Sequence, residues 1–330
     1  MEIDISSVQY EVELITEDGT LYTLTGVLTE LQWEEQKKEL SQRAKLTVAN
    51  ITIGNTYLMG IAKINCIVRI YGRWSGIRRL VLEGRIWDWQ YESKANKELS
   101  LTVYDPMIKL QQSDDCFYYP AGMTTSAIIG DICNAWGIPF EYVWDQCITH
   151  EKQATKTKIS DMIISLLDEV SRKTGKQYVA HFRDGKLRIA GRGSNAEIYI
   201  FDGRNTESTS NTLTINDLVT RVKIIGKQND DGRTPVEDVV DGDTRFGVLQ
   251  KIISRDSSAT LQAVRDEANT LLKERGKPDE SIQVNVPDLP FVRKGDKVSV
   301  SAGNLTGSFF VDGVTHNATS RQMTLALVRG

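Results

Sequence analysis

The sequence predicts an α+β protein, mainly β, in which two β-barrel-like domains flank a small α+β domain. Three observations carry this reading. Apolar residues alternate with polar ones through the first third, the period lengthens to that of helices in the middle, and alternation returns in the last third around a single helix. These changes place domains at 1–105, 106–205 and 206–330, with the helix of the last at about 258–275.

In the first third, Val8, Tyr10, Val12 and Leu14 alternate with polar residues, Asp18-Gly19 supplies a hairpin turn, and the chain returns from Leu21 to Leu28. Alternation resumes at Ala44, Leu46 and Val48, at Cys66, Val68 and Ile70, and at Leu99, Leu101 and Val103. So many short strands predict a barrel or sandwich.

After Asp105-Pro106 the period changes. Thr124 or Thr125 caps a helix with Ile128, Ile129, Ile132 and Trp136 on one face, stopped by Gly137 and Pro139. A second helix starts near Ser160, carries Ile163, Leu166, Leu167 and Val170 at helical spacing, and ends at Gly175. Strands follow from Tyr178 to Phe182 and Leu187 to Ala190 around the Asp184-Gly185 turn. Linkers are expected at 193–195 and 205–211.

The last third returns to strands at 218–225, 248–253, 282–286, 298–300, 309–314 and 323–328. Its helix is capped by Ser257 or Ser258, has Leu261, Val264, Ala268, Leu271 and Leu272 on the apolar face, and stops at Gly276 and Pro278. A weak internal repeat is visible. The offset that carries Ile86-x-Asp88 onto Phe310-x-Asp312 also carries Leu99, Leu101 and Val103 onto Met323, Leu325 and Leu327, across a turn of equal length.

Composition excludes several classes. A net charge of −4 and a pI near 5.6 give no broad footprint for nucleic acid or anionic lipid. No apolar run approaches the ~20 residues needed to cross a bilayer, and no basic start precedes an apolar core, so neither stable membrane insertion nor export by the chain itself is expected. Cys66, Cys116, Cys133 and Cys147 have neither zinc nor disulfide spacing and read as reduced, mostly buried thiols.

No catalytic, cofactor-binding or metal-binding residue is assigned, and the chain reads as a non-enzyme. His150 lies in a polar loop, His181 reads as a solvent-facing strand residue, and His316 sits in a terminal hairpin, none beside a nucleophile motif. The acidic stretches Asp230-Asp231-Gly232 and Glu237 to Asp243 lack calcium-loop spacing and read as solvated loops. Gly84, Gly226, Gly247 and Gly295 adjoin strands, as turns or bulges do. Trp87, Trp89 and Tyr91 recur at strand spacing on one face; such a row is core or, alternatively, a contact face for another subunit.

The run Asn216-Asp217-Leu218-Val219-Thr220-Arg221-Val222-Lys223-Ile224-Ile225-Gly226-Lys227, an Asp-Gly loop, and Phe246-Gly247-Val248-Leu249-Gln250 resemble the XkdQ/YqbQ-type tail proteins of PBSX-like prophages. So do Leu271-Leu272-Lys273-Glu274-Arg275-Gly276-Lys277-Pro278 and Arg293-Lys294-Gly295-Asp296-Lys297-Val298. More distantly, Cys116-Phe117-Tyr118, the helix ending Gly137-Ile138, and Ser160 to Ala190 are similar to the hub proteins of contractile tails and type VI-like spikes. The resemblance implies a structural baseplate hub, a homotrimer that adapts a sixfold tail tube to a threefold spike. Its implied partners are the tail tube or tape-measure and LysM tail proteins, the spike and other baseplate proteins. Its implied location is the virion tail, assembled in the bacterial host cytoplasm. A tail-associated peptidoglycan hydrolase is the alternative.

Overall fold

A computed structural model describes residues 7–93, 97–256 and 259–330. Strands hold 48% of the chain and helices 18%, so sheets set the architecture. The chain divides into two compact units, residues 1–209 with 283–330, and residues 210–282.

The larger unit is organised by one long sheet. Gln9–Ile15 and Leu21–Thr23 form the expected hairpin, in which Asp18 Oδ1 accepts from Thr16 Oγ1 (2.6 Å) and from the Thr20 amide (3.1 Å). Gly19 adopts φ +84°, open to a residue without Cβ. The returning strand is shorter than predicted. A 3₁₀ turn at Thr25–Val27 ends it, and a new strand, Leu28–Glu35, begins.

From one edge the sheet runs Leu21–Thr23, Gln9–Ile15, Ile67–Trp74, Ile77–Glu92, Glu98–Tyr104, Arg43–Ala49 and Leu28–Glu35. Leu28–Glu35 then pairs with Leu305–Asn317, which lies between Gln322–Arg329 and Lys297–Ala302. The early and late strands therefore form one open sheet, and among the described residues no pairing closes either part into a barrel. Val12, Leu14, Ala44, Leu46, Val48, Val68, Ile70, Leu99, Leu101 and Val103 are all buried in one cluster with Trp33, as the alternation predicts. Each large apolar side chain so buried contributes about 1.5–3 kcal/mol.

The helical segment belongs to the same unit. Thr124 caps Thr125–Ala135 by accepting from the Ala127 amide, and Ile128, Ile129 and Ile132 are buried. Trp136 is not on that face: it is the C-cap, past the last helical turn, and is 37% exposed. Helix Ile159–Thr174 buries Ile163, Leu166, Leu167 and Val170 and ends at Gly175 with φ +71°, a conformation glycine reaches without strain. Strands Tyr178–Arg183 and Lys186–Gly191 pair around Asp184-Gly185, and Phe140–Tyr142 adds in parallel. Part of the expected 205–211 linker is instead the strand Ser208–Thr214. Cys66 and Cys133 are buried, but Cys116 and Cys147 are exposed, so the expectation of mostly buried thiols fails at two of the four positions.

In the smaller unit Arg221–Ile225 is the central strand, antiparallel to Val236–Asp241 and parallel to Gln250–Ser254. Helix Leu261–Arg275 is capped by Thr260, whose Oγ1 accepts from the Ala263 amide at 3.2 Å; Ser257 and Ser258 lie outside the described residues. Val264 and Ala268 are buried, whereas Leu271 and Leu272 are only partly so. The acidic stretch Glu237 to Asp243 is not simply solvated: Glu237 pairs with Arg255, Asp238 with Arg265, Asp241 with Arg221 and Asp243 with Arg245.

Candidate functional site

All three histidines are buried, which corrects the solvent-facing assignment of His181; His150 does lie in a loop, as expected, but its side chain is turned inward. His181 lies opposite Arg188 on the hairpin face away from the buried Ala180, Leu187 and Ile189, as alternation placed it, but Gly295 packs against Val179 on that face, so it is not open to solvent there. His150 Nε2 lies 2.8 Å from Thr125 Oγ1, and its Nδ1 lies 2.8 Å from Glu169 Oε2. That line has the order nucleophile, base, orienting carboxylate. Thr125 is fully buried, however, and its hydroxyl contacts the Ile148 carbonyl at 3.2 Å, so the group fastens a loop to a helix start.

His316 ties the early and late strands together. Its Nδ1 lies 2.6 Å from Asp288 Oδ1 and its Nε2 lies 3.0 Å from the Val292 carbonyl. Asp288 also accepts from Tyr10 Oη at 2.7 Å. Beside it Glu35, 1% exposed, accepts from Arg293 Nη2 (2.8 Å), Arg293 Nε (3.1 Å) and the Lys294 amide (2.8 Å). Burial pushes the Glu35 carboxyl up, but Arg293, Arg183 and Lys294 outweigh it and hold the group well below the usual carboxylate range. Removing one member of such a buried pair leaves an uncompensated charge and typically costs about 3–5 kcal/mol. The sequence marked the 293–298 run only by resemblance; in the structure Arg293 and Lys294 form this seam.

The aromatic row behaves differently from its spacing. A bulge at position 87 shifts the register, so Ile86 faces Val103 while Asp88 faces Thr102. Trp89 then lies opposite Leu101 and Tyr91 opposite Leu99, whereas Trp87 packs edge-on against Tyr104 on the other face. The three are not on one face, and Trp87 and Trp89 are 43% and 37% exposed, so neither is core. Ile67–Trp74 covers this strand only as far as Arg85. Among the described residues, positions 89–92 hydrogen-bond to a neighbouring strand on one side alone.

The late hairpin repeats this geometry. Val311 faces Leu327, position 312 is bulged, and Gly313 faces Ala326, followed by Val314 with Leu325 and His316 with Met323. Each pair matches one in the early hairpin, and Lys297–Ala302 stops at Phe310 as Ile67–Trp74 stops at Arg85. The turns are unequal, with 93–97 in the first and 318–321 in the second, which corrects the equal length expected. One difference remains: Val314 to Asn317 are covered by Glu35 to Gln32, whereas positions 89–92 are bare.

Residues 31–328 match the YQBQ-like family. The chain belongs to that family. This YqbQ-like chain is 23% identical to the uncharacterised protein YqbQ of Bacillus subtilis (strain 168) over 58% of its own length and 60% of that protein, so less than two thirds of YqbQ is spanned. It is also 23% identical to the phage-like element PBSX protein XkdQ of the same organism, over 70% of its length and 73% of that protein. Its fold is that of the 43 kDa tail protein of prophage MuSo2 from Shewanella oneidensis, with a TM-score of 0.69 and 14% identity over 97% of this chain and 98% of that one.

Proposed function

We propose that this YqbQ-like chain is a non-enzymatic, structural baseplate hub protein of a contractile phage tail or tail-like particle. The domains 1–105 and 206–330 act as two alike ring positions around the 106–205 domain. The observation that carries the reading is the repeated bulged hairpin, covered in one copy by Leu28–Glu35 and bare in the other. In sheet order Ser208–Thr214 flanks Asp279–Pro287 as Leu28–Glu35 flanks Arg43–Ala49. Ser208–Thr214 of a second copy therefore fits the bare edge at 89–92, beside Trp87, Trp89 and Tyr91. Such head-to-tail contacts close at three chains, giving six near-equivalent positions on which a sixfold tube and a threefold spike both dock. Likeness to a prophage tail protein and to XkdQ supports this setting. The partners are tail tube or tape-measure and LysM proteins, spike and other baseplate proteins, and the location is the virion tail.

A photo-cross-linking residue at Gln90, combined with electron microscopy of assembled particles, tests the proposal. Three copies per ring and cross-links from position 90 to 208–214 of a neighbour are expected. Six copies, or cross-links only between identical regions, would overturn it.

A further inference from the structure

A cleft of about 1120 Å³ opens in the larger unit beside the hairpin of Tyr178–Arg183 and Lys186–Gly191. Its walls include Arg79, Arg183, Arg188, Phe291, Arg293 and Asp296. Arg183 is the unusual member. Its Nε and Nη2 are shielded from solvent and have no hydrogen-bond partner, and Nδ1 of neighbouring His181 is in the same condition.

The nearest carboxylate oxygen, Glu35 Oε2, lies 3.9 Å from Arg183 Nη2, too far for a hydrogen bond. That oxygen already accepts from Arg293 Nε and the Lys294 amide. Two cationic side chains, Arg183 and Arg293, and the Lys294 amide thus converge on one carboxylate whose Oε2, the oxygen nearest Arg183, already accepts two hydrogen bonds, while the Lys294 ammonium bonds the Gln36 and Glu39 carbonyls. A guanidinium cannot shed its charge to relieve this, and its planar fork matches a planar oxyanion. The Arg183 side chain still keeps 29% of its surface open.

We propose that this cleft binds a carboxylate, held by the Arg183 guanidinium with His181 as a second donor in the tautomer protonated at Nδ1. A single negative charge suits the site better than a phosphate dianion, because Glu83, Asp184 and Asp296 line the same cleft and repel a second charge. The carboxylate is either a free small acid or an acidic side chain delivered by a neighbouring protein. The chemistry at Arg183 is the same for both.

The test compares the thermal midpoint of the full chain in sodium acetate and in sodium chloride at equal ionic strength. The variants are Arg183→Gln, Arg183→Lys and, as a control, Arg69→Gln at a surface ion pair. Acetate should raise the midpoint of wild type and Arg69→Gln, do less for Arg183→Lys, which keeps the charge and loses the fork, and do nothing for Arg183→Gln. If Arg183→Gln does not fold, saturation transfer to the acetate methyl protons should still be stronger for wild type than for Arg183→Lys. Equal midpoints of wild type in the two salts, an undiminished response in the Arg183 variants, or phosphate outdoing acetate would overturn the proposal. An oligoglutamate peptide separates the sources. Half-saturation at a concentration lower by roughly tenfold or more than for acetate supports a protein segment, and equal concentrations per carboxylate support a free acid.

Discussion

The His316 ring lies parallel to that of Trp33, with 3.7 Å between centroids and 5° between planes, and the two residues are also direct partners across their strands. Both are fully buried, and Arg293 lies 5.0 Å from the Trp33 ring on the same seam. Trp33→Ala should therefore destabilise the larger unit by about 3–5 kcal/mol. Urea unfolding followed by fluorescence and circular dichroism checks this, and a loss below about 1 kcal/mol would mean the stack adds little to ordinary burial.

Acid should destabilise the protein in two windows. Burial, with Arg183 nearby, lowers the His181 value to about 2, against 6.5 for the free side chain. Below 6.5 the unfolded chain therefore binds the proton first, and stability falls with pH. Glu35, held far below its usual 4.5, adds a second loss that begins as pH drops below that value. Subtracting the stability profile of His181→Gln from that of wild type should isolate the first window, and subtracting that of Glu35→Gln the second. A flat difference for either would show that the group does not titrate differently on unfolding.

In the helix of the smaller unit, Leu271→Ala or Leu272→Ala should each cost about 1–2 kcal/mol. The figure is below the ~2–5 kcal/mol of a fully buried leucine, because both side chains are only partly covered. Lys273 or Glu274 changes should stay within about 0.5 kcal/mol. Thermal midpoints of the four single variants would test the ranking.

Gly84 is neither a turn nor a bulge residue: a Cβ there would meet the Tyr104 carbonyl oxygen at 2.3 Å. Gly84→Ala should force Ile77–Glu92 away from Glu98–Tyr104 and cost about 1–3 kcal/mol. Faster amide exchange at residues 99–103 than in wild type is the expected signature.

Much of the fold was legible because its signals are local. Val12 and Leu14 alternate over a single strand, Thr124 caps its own helix, and Gly175 ends one. The bulge at position 87 was not legible, since one extra residue in a strand leaves no mark in an alternating pattern until the partner register is known. The burial of His316 depends on Asp288 and Trp33, both distant in sequence. The repeat was visible through Leu99, Leu101 and Val103, but the turn-length difference set Ile86 against Phe310, one residue short of its structural counterpart Val311. Arg183 carried no signal at all; its orphaned N–H groups arise from the three-dimensional crowding of Glu35.

Coverage of the late hairpin by Leu28–Glu35 also sets an order in time. The strand that carries Trp33 is made early, but its partners at 314–317 come roughly 280 residues later, a delay of roughly 15–60 s at ordinary rates of synthesis. For that interval one edge of Leu28–Glu35 is an open template, and any other newly made copy is a competitor for it. Glu30, Glu34 and Glu35 fall on this strand. Like charges set against one another disfavour pairing between two copies of the same strand, so the nascent chain holds its edge in reserve until its own late hairpin emerges.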